Sequence, residues 1–292
     1  MAPESLAPFA CIRRKESPSA VTDHETSTQP PAVPAPQEAL PPLPEMTWRT
    51  ATLNGAEIAY AVAGSGAGEP VVLVHGGDAN SEHWAFQVQA LAGTYRVILL
   101  DSRGHGRSPY NGGPLTYAQL ADDVLALLDL LGVERAHLVG WSDGGIIGID
   151  LALRHPERLR KVVAFGANAD LGGYRTDTSD DEGAIISAFG AHNGPDYARL
   201  SPAPELHKAS VAALRQMWET EPAYTAAELR TITTPFLIMA GAHEEVIAEP
   251  HTRYLAATIP GAELALLANC GHFGHMQEPE AFNARMLAFL AE

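Results

Sequence analysis

The chain has 292 residues, 46% of them hydrophobic and 18% charged, the composition of a globular protein with room for an ample core. Its formal net charge of −16 argues against a nucleic-acid partner, whose phosphates it would repel, and no apolar run is long enough to predict a membrane span. Only Cys11 and Cys270 are present, so no disulfide framework is expected and a reducing, cytoplasmic setting is.

The first 45 residues hold ten of the 22 prolines, with Ser, Thr, Gln and Glu between them. This composition predicts a disordered or polyproline tail over 1–45, ahead of a folded unit over 46–292. Met1 to Cys11 lacks the basic start and unbroken apolar stretch of a secretory signal.

The folded unit opens with alternating runs, Thr47 to Leu53 and Ala56 to Tyr60. Asn54-Gly55 between them predicts a β-hairpin. Val71 to Val74 and Arg96 to Leu100 read as strands, with a helix over Ser81 to Ala92 between them. Thr116 to Leu131 predicts a helix with Leu120, Val124, Leu127, Leu128 and Leu131 on one face, ended by Gly132. Ala136 to Val139 and Lys161 to Phe165 are further strands. From about residue 167 to 232 the alternation breaks. Helical runs at Glu182 to Phe189 and Glu205 to Glu219 predict a cap insertion, since long insertions past strand ends border the ligand crevice. Pro235 to Ala240, Pro250 to Thr258, Glu263 to Leu267 and Pro279 to Leu290 then restore the alternation. Strands alternating with helices predict an α/β class with a mostly parallel sheet covered on both faces.

Chemistry concentrates at Gly140-Trp141-Ser142-Asp143-Gly144, between a predicted strand and a predicted helix. A serine between two glycines at such a turn reads as a nucleophile elbow. Its partners are expected downstream in the order acid, then histidine. His272, on a loop after the last predicted strand, is the expected base, with His275 as its rival. Glu244, just past Phe236 to Ala240, is the expected acid, with Glu245 and Asp170 as alternatives. An acid there holds the imidazole in one tautomer.

Taken together, these motifs resemble the α/β-hydrolase superfamily from about Met46 to Glu292. The resemblance includes His75-Gly76-Gly77 after the apolar strand, Asp101 to Ser108 after the next one, and Gly271-His272 followed by Glu278-Pro279. It implies an oxyanion hole from the backbone N–H groups of Gly77 and Asp143, with Gly76 as the substitute for Gly77. Gly140 to Ile146 and Phe165 to Asn168 are closer still to the valacyclovir hydrolase and biphenyl-hydrolase-like esterase group. There the Asp beside the nucleophile helps bind an amino group, which makes Asp143 and its neighbour Trp141 the expected substrate contacts. That group usually carries Asp where this chain has Glu244.

The resulting expectation is a serine esterase acting on a small carboxylic ester through an acyl-enzyme, as monomer or homodimer, with no cofactor and no metal. Carbon–carbon bond hydrolysis, cofactor-free peroxidase chemistry and non-catalytic ligand binding remain open on the same fold. Haloalkane dehalogenase and epoxide hydrolase chemistry needs a carboxylate where Ser142 stands.

Overall fold

The computed structural model of the chain describes residues 40–64 and 68–292. Its centre is an eight-stranded sheet in the order β1-β2-β4-β3-β5-β6-β7-β8. The strands are β1 (Arg49–Leu53), β2 (Ala56–Ala63), β3 (Pro70–Val74), β4 (Arg96–Leu100), β5 (Ala136–Trp141), β6 (Leu159–Phe165), β7 (Phe236–Gly241) and β8 (Glu263–Leu267). β1 and β2 pair antiparallel, as does β2 with β4, and every pairing from β4 through β3 to β8 is parallel. Asn54 and Gly55, both at positive φ, form the β1–β2 turn.

The inner strands are apolar throughout because both of their faces are covered. Val72, Val74, Ile98, Leu138, Val162 and Ile238 point into one core. Their alternates Val71, Leu73, Val97, Val139, Val163 and Leu237 point into another. The first core is closed by α2 (Tyr117–Leu130), α3 (Asp143–Arg154) and α7 (Glu249–Thr258), the second by α1 (Ala85–Leu91), α8 (Gly274–Gln277) and α9 (Pro279–Ala291).

Between β6 and β7 the chain forms α4 (Asp180–Leu200), α5 (His207–Trp218) and the short α6 (Ala226–Leu229). Helix α4 runs well past Phe189, where Gly190, Gly194 and Pro195 signal an end. Tertiary contacts override that local signal. The Asn193 amide donates to Asp78, and Tyr197 is buried against the His207 ring.

The chain leaves β3 for β4 on one side and returns across β3 to β5 on the other. The carboxyl ends of β3 and β5 therefore flank the point where the winding reverses, the usual ligand crevice of an open α/β sheet.

Residues 1–39 of the predicted tail lie outside the described residues. Residues 40–45 do not behave as the end of a free tail. Leu40 and Leu43 pack on the second core with Met46 and Trp48, and Gln89 donates to the Pro42 carbonyl at 3.2 Å. Two half-buried leucines are together worth about 2 kcal/mol. A chain starting at Met46 should therefore melt a few degrees below the 292-residue chain in calorimetry. Equal melting temperatures would mean that this docking contributes nothing.

Candidate active site

The elbow is built by close backbone approach. A Cβ on Gly140 would stand 2.1 Å from the Gly144 carbonyl oxygen, and one on Gly144 would stand 2.0 Å from that of Val74. Only glycine fits either position. Between them Ser142 is forced to φ 53°, ψ −118°, a conformation that costs on the order of 1–3 kcal/mol and lifts the side chain off the strand. The bond from Ser142 N–H to the Phe165 carbonyl, 2.8 Å, anchors the turn to β6. Asp143 then begins α3, so its N–H is among the first-turn amides without an intrahelical acceptor.

The turn after β3 lies beside it. His75 Nε2 accepts from Ser102 N–H at 3.0 Å, so Nδ1 carries the proton and donates to the Gly76 carbonyl at 2.7 Å. Burial and the neighbouring His105 push the His75 pKa down to about 3, which keeps the ring in this neutral form. In a trans peptide the N–H of Gly77 points opposite to the Gly76 carbonyl, so His75 fixes its direction. Gly77 has no room for a side chain: a Cβ would fall 2.2 Å from the Trp218 ring and 2.5 Å from Asp143 Oδ2. Gly76 is less confined, with its nearest contacts at 3.1 Å from Ser142 and Trp141.

Past the end of β7, the two candidate acids divide the work of holding one loop. Glu244 Oε1 receives His272 Nδ1 at 2.6 Å and the N–H groups of Val246 and Ile247 at 3.0 and 3.2 Å. Glu245 Oε2 receives the backbone N–H of His272 at 2.5 Å. Burial and the adjacent Glu244 charge push Glu245 up to about 7. Burial opposes charge on His272, but the charge and hydrogen bond of Glu244 outweigh it, and the imidazole pKa is raised. Gly166, at φ 62° past β6, underlies the ring. A Cβ there would lie 2.9 Å from His272 Cε1 and Nδ1.

The rivals sit elsewhere. His275 is fully buried among Trp84, Trp141, Phe165 and Phe282, and neither ring nitrogen has a partner. Asp170 accepts from Gly172 N–H at 2.8 Å in a short turn.

Trp141 and Asp143 both border the cavity but are engaged internally. Trp141 Nε1 donates to the His272 carbonyl at 2.8 Å, tying the residue before the serine to the histidine loop. The Asp143 carboxylate receives the Tyr117 hydroxyl at 2.8 Å and Trp218 Nε1 at 3.1 and 3.0 Å to its two oxygens. Burial raises the Asp143 pKa, and these donors counter it in part. Burial and the Asp143 charge hold the Tyr117 hydroxyl well above the ordinary phenol range, so it remains a donor. Tyr117 and Trp218 lie within runs that the sequence predicts as helices, and sequence patterning assigns neither a polar role. The signal available was a buried acid at an elbow, which needs donors, and a tryptophan, which carries one.

Ser142, Asp143, Gly77, Trp141 and His272 open onto one cavity of about 850 Å³, a volume that includes space open to solvent. Helix α4 contributes Ile186, Phe189, Gly190 and Asn193, and α5 contributes Val211, Arg215 and Trp218. These are single helix faces, at i, i+3, i+4, i+7 and i, i+4, i+7 spacing.

Residues 71–285 match the family model described as the alpha/beta hydrolase family. A putative carbamate hydrolase, RutD of Caulobacter sp. strain K31, is 33% identical over 249 residues, covering 76% of this chain and 91% of the relative. A hydrolase from Pseudomonas aeruginosa PA01 superposes with a TM-score of 0.67 at 29% identity, over 84% of this chain and 98% of that one. The enol-lactonase from Burkholderia xenovorans LB400 gives a TM-score of 0.68 at 27% identity, over 84% of this chain and all of the other (100%). With the family model spanning both the elbow and the histidine loop, this chain belongs to the alpha/beta hydrolase family.

Proposed function

We propose that this hydrolase cleaves a small carboxylic ester, with Ser142 as nucleophile, His272 as general base and Glu244 as the acid that orients it. The observation that carries the reading is the 2.6 Å bond from His272 Nδ1 to Glu244, with His272 and Ser142 lining the same cavity. With its Nδ1 proton directed at Glu244, the imidazole keeps Nε2 free to take the Ser142 hydroxyl proton. The serine oxygen adds to the ester carbonyl, and the charge on the carbonyl oxygen is received by the N–H groups of Gly77 and Asp143. Each such donor is worth about 3 kcal/mol. His272 returns its proton to the departing alcohol. Water, deprotonated by the same ring, then releases the acid and restores Ser142. The names of the relatives, a putative carbamate hydrolase and an enol-lactonase, are the reason to test carbamates and lactones beside open-chain esters.

Ser142→Ala should lower ester turnover by about a million-fold, as loss of a serine nucleophile does in comparable enzymes, with an unchanged circular dichroism spectrum. A serine-directed phosphonate should label Ser142 alone. Retained turnover, or labelling elsewhere, would overturn the assignment.

Glu244→Gln should reduce kcat by roughly three to four orders of magnitude. It should also move the acid limb of kcat/KM. The base works only when neutral, and Glu244 raises the His272 pKa, so the limb lies above the ordinary imidazole value and activity falls as pH drops through it. Removing the negative charge stabilises imidazolium less, so the limb shifts to lower pH. Glu245 titrates near 7 beside it, so the shift is best read in a Glu245→Gln background. A limb that stays in place would show that Glu244 does not act on the titrating histidine.

A further inference from the structure

The groups lining the cavity include two carboxylates, one imidazole and one guanidinium. Asp78 receives His207 Nε2 at 2.9 Å and the Asn193 amide at 3.3 Å. Asp143 receives Tyr117 and Trp218, and His272 is bonded to Glu244. Arg215 alone among these four has no side-chain hydrogen bond or ion pair with any described residue. Its Nε is buried without an acceptor.

An arginine left bare in such a place is unusual. Buried donors are nearly always satisfied, and a guanidinium among apolar walls gains much from an anion. The cavity it lines is walled in part by Trp141, Phe189, Trp218 and Phe273, alongside the two carboxylates already engaged. Its fork of N–H groups matches a carboxylate in plane and spacing. The helix aims it: Val211, Arg215 and Trp218 share the cavity face of α5, and Trp218 is fastened to the Asp143 carboxylate beside the serine. The protein as a whole carries a net −16, so non-specific attraction of anions does not explain a free cation here. The carboxylate next to the nucleophile, by contrast, already has its donors from the protein and offers little to a substrate amine.

We infer that Arg215 is a specificity residue that binds a carboxylate on the substrate, so that the preferred esters are those of acid-bearing molecules, such as half-esters of dicarboxylic acids or acylated hydroxy acids. The inference rests on the esterase reading of the same site and adds the chemistry of the part that does not react.

Two measurements test it separately from that reading. The first compares kcat/KM for monomethyl esters of dicarboxylic acids, from succinate to suberate, with neutral methyl esters of matched length. ω-Acetoxy acids are compared with alkyl acetates in the same way. At least one acidic series should be preferred by about ten-fold or more, as expected for a charge-assisted pair. Arg215→Ala should erase that ratio through KM, and Arg215→Lys should keep part of it. Hydrolysis of neutral and acidic esters at equal efficiency would overturn the inference and leave the esterase reading standing.

The second measurement needs no turnover. Calorimetry of the same monomethyl esters with Ser142→Ala protein should show binding that weakens ten-fold or more in Ser142→Ala/Arg215→Ala. Equal affinity in the two, or no binding to either, would overturn the inference whether or not any ester is cleaved.

Discussion

Everything at the site depends on backbones that pass too close to admit a side chain. The elbow puts Gly140 against Gly144 and Gly144 against the end of β3. This contact sets the height of Ser142 above the sheet and the start of α3. It also brings the His75-Gly76-Gly77 turn alongside. The strain at Ser142 persists because the sheet on both sides over-determines it, β3 through Gly144 and β6 through the Phe165 carbonyl. From there the parallel strands deliver the remaining groups in spatial order. The end of β6 supplies Gly166 under the imidazole, that of β7 supplies Glu244 and Glu245, and that of β8 leads to His272.

The electrostatics are those of acids taken out of water and given donors. Glu244 spends one oxygen on three N–H groups, which leaves its other oxygen without a partner. Glu245, next to it, cannot carry full charge as readily and holds the loop through the His272 main chain. Two neighbouring glutamates thus fix one histidine by its ring and by its backbone. Asp143 follows the same rule with Tyr117 and Trp218 as donors. These donors draw part of the charge away from a carboxylate that sits beside Ser142.

Much of this was legible from local pattern. The apolar strands, the Asn54-Gly55 turn and the elbow are short-range signals whose physics is local. The placing of Glu244 and His272 past the ends of the last strands followed from the alternation of elements. What was not legible is what depends on three-dimensional neighbours. The division of labour between Glu244 and Glu245 turns on which carboxylate faces a ring and which a main-chain N–H. Gly166 is needed because its backbone takes a positive φ and because a ring lies on it, and Tyr117 and Trp218 sit in helices like any other aromatic residue until Asp143 is found between them. That Arg215 has no partner among the described residues is visible only once the two acids lining the same cavity, Asp78 and Asp143, are seen to be bonded elsewhere. Helix α4 outran its sequence signal because burial of Asn193 and Tyr197 outweighs two glycines and a proline.

The anchoring of Trp218 bears on how molecules come and go. Helix α5 is fastened at its last residue to the acid beside the serine, by an indole N–H shared between two carboxylate oxygens. Swinging α5 outward would strip a buried acid of one of its two side-chain donors, at a cost of about 1.5–3 kcal/mol before any loss of packing. At equilibrium that leaves the undocked arrangement at roughly one molecule in ten to one in a hundred and fifty, on this bond alone. The cavity wall formed by Val211, Arg215 and Trp218 therefore stays in place for most of the time, and its shape is set as much by this anchor as by packing.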